Sequence, residues 1–322
     1  MPKQNQKTIK SIVMPKTPKY SLVIPVYNEE ANLQELNSEI KQVMSKLNES
    51  YEVIYINDGS RDRSLLVLRD LVKKDKNIKF LSFSRNFGHQ AALTAGLDHA
   101  KGQAIISMDS DLQDPPQLLP EMIKKWKQGY EIVYARRKRR HDSFFKKYTA
   151  LAYYRLLNKF SEVKIPRNVG DFRLIDRKVL DELKGMREKA RYLRGMVAWL
   201  GFRFTFVDFD RPERKNGKTN YTLTKMARLA MNGILNFSLL PLKLGLFMGL
   251  ASIFVGIIFL IYMIIDILLN STIYQLYKWL AVILLIFAGI QFMFLWIIGE
   301  YIGRIHNETK DRPLYVIREK VE

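Results

Sequence analysis

The sequence predicts an α/β domain with a mostly parallel sheet, followed by amphipathic helices and two membrane-spanning helices. Three observations carry that expectation. Between residues 20 and 135, short β-branched and aromatic runs alternate with helical patterns, as in successive βαβ units. Several of these runs end in acidic or amide-rich turns, the place where an α/β sheet binds its ligands. In the last third, 22 residues between Lys243 and Asp266 and 21 between Lys278 and Glu300 carry no charge, which is spanning length.

The elements follow in order. Tyr20 opens a strand that Pro25 ends, and Asn28, Glu29 and Glu30 suit the cap and first turn of a helix reaching about Asn48. A second strand over 51–56 turns at Asn57-Asp58-Gly59-Ser60, with Ser60 or Asp62 capping the next helix. A third, over 78–84, leads through Arg85-Asn86-Phe87-Gly88 into a helix over 90–100. The fourth ends in Met108-Asp109-Ser110-Asp111-Leu112-Gln113-Asp114-Pro115-Pro116, after which a helix over 117–128 and a strand over 131–135 are expected. Five cations, 136–140, come next. The aromatic, lysine-rich stretch 144–160 reads either as core or as a helix lying at a membrane interface. Strands are expected over 170–176 and 202–209, then a basic loop over 211–219 and an amphipathic helix over 221–237. The expected division is a basic tail (1–19), a sheet domain (20–218), a juxtamembrane helix (219–240), a two-span membrane domain (241–303) and a charged tail (304–322). Flanking cations and a short loop with one Lys put both termini and the sheet domain on the cytoplasmic face of the cell (inner) membrane.

Composition narrows the chemistry. The 322 residues carry a formal charge of +20 and no cysteine, which removes disulfides, zinc–thiolate sites and thiol nucleophiles. His89, His99, His141 and His306 are scattered without metal-ligand spacing and read as surface or cap residues. A basic excess calls for an anionic partner, and the apolar C-terminal third points to lipid and phosphorylated substrate rather than nucleic acid. Neither a G-x-G-x-x-G fingerprint nor a P-loop is present, so dinucleotide and P-loop chemistry have no support.

Asp109 and Asp111, one residue apart at a strand end, would repel each other if both stayed charged. A hard cation such as Mg²⁺ or Mn²⁺ resolves the conflict, since it takes one or two protein carboxylates and completes its shell with water and substrate phosphate. A bare D-x-D triplet is also an ordinary acidic turn; its neighbours decide between the two.

Val-Ile-Pro-Val-Tyr-Asn-Glu-Glu (23–30), Asn-Asp-Gly-Ser (57–60), Ser-Arg-Asn-Phe-Gly (84–88) and Met-Asp-Ser-Asp-Leu-Gln-Asp-Pro-Pro (108–116) resemble, in that order, the family-two glycosyltransferases. With Gly-Asp-Phe-Arg-Leu-Ile-Asp (170–176) and the C-terminal runs, the chain is similar to the polyisoprenyl-phosphate glycosyltransferases, in particular the bactoprenol glucosyltransferases related to dolichyl-phosphate mannose synthase. The resemblance covers residues 20 to about 310.

That resemblance implies a GT-A-like nucleotide-sugar domain and a division of labour. Pro25, Tyr27, Glu29, Asp58 and Arg85 would line the nucleotide, with Asp109 beside the donor. Asp109, Asp111 and Gln113 match the metal site on the donor diphosphate. Arg137, with Arg136 as the alternative, and Arg214 and Lys218 in the basic loop, would contact phosphate. Lys218-Thr219 stands where relatives more often have Ser-Lys. Asp171 would sit near the acceptor, taking a residual proton or orienting a sugar hydroxyl, beside the competing reading of a turn carboxylate; Asp111 is the other candidate catalytic acid. The implied partners are a nucleotide-sugar donor, a polyisoprenyl phosphate acceptor, the membrane and a second copy of the chain.

The implied reaction is inverting transfer of a hexose, glucose from UDP-glucose before mannose or an aminoarabinose, to undecaprenyl phosphate. A processive polysaccharide synthase is a second reading, but Gln275-Leu276-Tyr277-Lys278-Trp279 replaces the Arg of its Q-x-x-R-W element. A non-catalytic module binding anionic lipid is a third, and it leaves the acids at successive strand ends unexplained.

Overall fold

The computed structural model describes residues 17–138, 166, 168–186, 188–210, 251, 254–258, 261–262, 264–266, 268–269 and 276–321. Among them the order is β1 (Tyr20–Val26), α1 (Leu33–Leu47), β2 (Tyr51–Asn57), α2 (Ser64–Lys74), β3 (Ile78–Phe83), α3 (His89–His99) and β4 (Ala104–Ser107). A 3₁₀ turn (Pro116–Leu118) precedes α4 (Leu119–Lys127), β5 (Ile132–Arg137), β6 (Val169–Asp176), α5 (Arg177–Gly185), α6 (Leu193–Trp199), β7 (Phe204–Phe209), α7 (Leu276–Thr309) and β8 (Ile317–Val321).

The strands form one sheet in the order β7-β5-β6-β4-β1-β2-β3-β8. β1 pairs in parallel with β2 and β4, as do β2 with β3 and β5 with β7. β6 runs antiparallel to both β4 and β5, and β8 runs antiparallel to β3. Four of the seven pairings among the described residues are parallel, as a mostly parallel sheet requires, and β6 and β8 are the strands that run the other way. Apolar alternation reports which face a residue takes; it says nothing of which way the neighbouring strand runs.

Alternation does set the two cores. Leu22, Ile24 and Val26 of β1 join Leu33, Leu36 and Ile40 of α1 in one apolar cluster. Val23, between them, joins Ala92 and Leu93 of α3 in another. Gly96 lets α3 settle on the sheet, because a Cβ there would lie 2.2 Å from Val23 Cγ1. At α1, Asn32 takes the cap position while Asn28, at φ 56°, is a left-handed turn residue.

The two transmembrane helices are overturned. Among the described residues no helix is long and apolar enough to cross a membrane. The first uncharged run is described only in part; the second lies in α7, which continues into Glu300 and Arg304, themselves paired at 3.2 Å. A span needs about 20 consecutive apolar residues in one helix, a length and hydropathy that no helix combines among the described residues. The two-pass, inner-membrane placement with cytoplasmic termini and sheet domain falls with it. The stretches 144–160 and 219–240 lie outside the described residues. The segment expected as a charged tail instead supplies β8, which closes the β3 edge of the sheet.

Candidate active site

The chain leaves β1 towards β2 and β3 on one side and returns to β4 on the other. The crevice beyond the carboxyl ends of β1 and β4 is thus the topological switch point, where open α/β sheets bind ligands. Pro25 is buried in β1, and half-buried Tyr27 and Glu29 follow at its end. Backbone amides fasten this loop to the next: Asn28 N–H donates to Ser60 Oγ (3.0 Å), Glu29 N–H to Ser64 Oγ (3.0 Å) and Glu30 N–H to Asp62 Oδ2 (3.1 Å).

Asp58 is buried and accepts from Phe87 N–H (2.7 Å), Gly88 N–H (3.0 Å) and Asn86 Nδ2 (2.9 Å). Burial raises its pKa despite these bonds. Its carboxylate ties the β2–α2 turn to the β3–α3 loop. Gly59, at φ 64°, permits that approach, because a Cβ would sit 2.4 Å from the Arg85 carbonyl carbon. Arg85 itself is exposed, its guanidinium 4.0 Å above the Phe87 ring.

The turn after β4 concentrates negative charge. Leu112 takes φ 60°, Asp109 N–H donates to Asp114 Oδ2 (3.0 Å) and Gln113 N–H to Asp111 Oδ1 (3.2 Å). Asp111 and Asp114 are buried. Asp109 Oδ1 and Asp114 Oδ1 are shut off from solvent without a hydrogen-bond partner among the described residues. Burial raises the pKa of Asp109, the charges of Asp171 and Asp111 add to that, and His89 opposes it. Burial and Asp109 likewise raise Asp114 to about 7, against the Asp109 amide and Arg137.

Across the crevice Asp171 meets the opposite surroundings. β4–β6 pairing sets Ser107 opposite Arg173, so the same register carried two residues further brings Asp109 towards Asp171. Asp171 is 4% exposed and accepts from Arg173 Nη2 (3.0 Å), Arg194 Nε (3.1 Å) and Arg194 Nη2 (2.9 Å). Burial disfavours its charge, but Arg194, His89 and Arg173 overcome that and hold its carboxyl well below the usual carboxylate range. His89 Nε2 stands 3.4 Å from Asp171 Oδ2 and 3.5 Å from Asp109 Oδ1. Burial would lower its pKa; the Asp171 contact and both acids raise it to about 9.

The two arginines after β5 part company. Arg136 forms a two-pronged pair with Asp208 (2.6 and 2.9 Å) and covers Phe206. Arg137 turns towards the acids: it opposes protonation of Asp114, and a Cβ on Gly170 would lie 3.3 Å from its Nη2. Arg214 and Lys218 lie outside the described residues.

The structure thus gathers Asp109, Asp111, Asp114, Asp171 and Arg137, and it adds His89, Arg173 and Arg194. His89, expected as a surface or cap residue, is indeed exposed at the first position of α3; its reach to both acids is the unexpected part. Its signal was its place immediately after Phe87-Gly88; Arg173 shares a strand face with Asp171 two residues away; Arg194 had no local signal.

Among the described residues no group of three or more His, Asp or Glu side chains could hold a metal alone. Two carboxylates one residue apart, with a buried Asp109 oxygen that no hydrogen bond among the described residues satisfies, do fit a cation that completes its shell with substrate phosphate and water.

A mixed α/β sheet whose switch point opens on paired acids is a GT-A-like fold. The chain belongs to glycosyl transferase family 2, whose family description matches residues 21–184. It is 50% identical over 301 residues to the uncharacterised glycosyltransferase YkcC of Bacillus subtilis (strain 168), covering 93% of each chain. It is 40% identical over 301 residues to a prophage bactoprenol glucosyl transferase homolog of Escherichia coli (strain K12), covering 93% of this chain and 98% of that one. This near full-length likeness makes it a polyisoprenyl-phosphate glycosyltransferase of that family. A solved glucosyl-3-phosphoglycerate synthase from Mycobacterium tuberculosis covers 66% of this chain and 76% of its own at 16% identity and a TM-score of 0.46, too loose a likeness to build on.

Proposed function

We propose that the chain transfers glucose from UDP-glucose to undecaprenyl phosphate in one inverting displacement, giving a β-linked sugar phosphate lipid. The observation that supports this most is the acidic turn at the switch crevice, where Asp109 and Asp111 face the anchored Asp171. The relative from Escherichia coli, a bactoprenol glucosyl transferase homolog, favours glucose over mannose or an aminoarabinose.

Pro25, Tyr27, Glu29 and Arg85 would form the nucleotide wall. Asp58 would hold that wall together, since its carboxylate already binds the 86–88 segment. Asp109 and Asp111, with Gln113 beside them, would hold Mg²⁺ or Mn²⁺. Such an ion, when bound, supplies Lewis-acid stabilisation of the departing diphosphate. Arg137, Arg214 and Lys218 would add fixed positive charge at the same phosphates. Arg136, committed to Asp208, is the poorer candidate.

An acceptor phosphate monoester, with a second pKa near 6, is mostly a dianion at neutral pH and needs little help from a base. Asp171 suits orientation better than proton transfer: a carboxylate held by two arginines is a weak acceptor. Its task is to fix Arg194 and His89 at the crevice.

The test is transfer by the full chain from labelled UDP-glucose to undecaprenyl phosphate in detergent with Mg²⁺ or Mn²⁺. One sugar per lipid, lost by about 100-fold or more in Asp109→Asn and Asp111→Asn, supports the reading. Wild-type rates in those variants, or preferential use of another nucleotide sugar, would overturn the metal site or the donor respectively.

A further inference from the structure

The C-terminal segment lies far from the crevice in sequence, yet it touches both flanks of the loop that carries His89. Tyr315 stacks on Phe83, the last residue of β3, with ring centroids 5.2 Å apart and planes at 11°. Phe83 in turn meets Phe87 edge-on at 5.7 Å. The Tyr315 hydroxyl donates to Asp98 Oδ2 (2.9 Å), near the end of α3. The Val316 carbonyl accepts from Ser84 N–H (3.0 Å). One aromatic side chain thus grips the strand leading into the 84–88 loop and the helix leading out of it.

The same segment reaches the neighbourhood of Arg194. Lys189 N–H donates to Glu308 (2.8 Å), and Lys189 Nζ binds Asp311 (2.8 Å) and the Arg312 carbonyl (3.0 Å). Leu193 N–H then donates to the Gln90 side chain (3.0 Å), joining the two braced segments just beside Arg194 and His89. Those are the residues that converge on Asp171.

We infer that Tyr315 is a positioning residue for sugar transfer, bracing the 84–88 loop so that Phe87 and Gly88 stay on Asp58 and His89 stays between Asp109 and Asp171. It touches neither donor nor acceptor and acts through Phe83 and α3. The inference rests on the reading of that crevice as the transfer site. Its chemical basis is geometric: the loop's own anchors are two amides and one side-chain amide on Asp58, and small displacements of a reacting constellation are expensive in rate.

Hydrogen exchange and kinetics on the full chain test it together. Tyr315→Ala should speed exchange of the Phe87 and Gly88 amides roughly tenfold and lower kcat/KM for UDP-glucose by about tenfold. Tyr315→Phe, which keeps the stack on Phe83 and loses only the bond to Asp98, should fall between Tyr315→Ala and wild type in both. Arg69→Ala removes only the pairing of β8 to α2 through Glu319 and should leave both near wild type while lowering Tm. If Tyr315→Ala does not fold, Tyr315→Leu serves in its place. Unchanged exchange at Phe87 and Gly88, or equal loss of protection and activity in Arg69→Ala, would overturn the proposal. A wild-type protein that transfers no glucose would count against the functional reading alone, because the exchange result stands without substrate.

Discussion

Two acidic regions face each other across the crevice, and they are built on opposite electrostatic plans. Asp171 on β6 is enclosed but answered: two guanidinium groups and the His89 ring surround it, and it stays ionised. The 109–114 turn is enclosed and not answered in the same way: Asp109, Asp111 and Asp114 crowd one another, and pKa values of Asp109 and Asp114 rise. A compensated carboxylate is a finished structural ion. A crowded set in which a buried Asp109 oxygen has His89 at 3.5 Å but no hydrogen bond among the described residues is a place prepared for positive charge from outside the chain.

That contrast can be broken by neutralising each side in turn. Asp171→Asn leaves Arg173 buried beside Arg194 without its anion, and loss of one partner from a buried pair costs about 3–5 kcal/mol; thermal denaturation should show a large drop in Tm. Asp109→Asn removes a charge that His89, at 3.5 Å, and Arg194 offset without overcoming the burial and the neighbouring acids. Its Tm should hold or rise, while transfer falls by about 10²–10³-fold. A matching loss of Tm in both variants would erase the distinction.

The arginines sharpen it next. Arg137→Ala should lower kcat/KM for the donor by about tenfold or more, on the scale of a lost charge-assisted contact of about 1.5–3 kcal/mol. Arg136→Ala, which loses an exposed pair with Asp208, should stay within about threefold of wild type, since such pairs contribute about 0–1 kcal/mol. Equal losses would show that phosphate is not read from one side of β5.

The smallest effect lies outside the crevice. Lys19, Tyr20 and Lys127 surround Glu49, and although burial opposes ionisation they bring its pKa down to about 2. A depressed carboxylate stabilises the fold above its unfolded pKa and loses that contribution as pH falls towards the folded value. Between about pH 4.5 and 2, Glu49→Gln should therefore show a shallower decline of Tm with acid than wild type. An identical slope would remove Glu49 from the acid response.

The two sides also differ in how they could be read from sequence. Asp109 and Asp111 are neighbours on a strand end, so spacing alone exposes them. Asp171 was visible through its motif, but its partners were not: Arg194 comes from a helix 23 residues on, and His89 from the β3–α3 loop. Sheet direction was hidden as well, because β6 shows the same alternation whichever way it runs. β8 carries three charges in a row (Arg318, Glu319 and Lys320) between Ile317 and Val321, which suits an edge strand and equally suits a solvated tail. Only pairing with β3 distinguishes them. The uncharged runs were the opposite case, a strong compositional signal for spans that no described helix fulfils.

Calorimetric titration of Mn²⁺ into the full chain with UDP present tests the central contrast most directly. One site is expected in wild type, weakened at least about tenfold by Asp109→Asn and retained in Arg136→Ala. Equal affinity for Mn²⁺ in wild type and Asp109→Asn would contradict the assignment of the crowded acids to a cation.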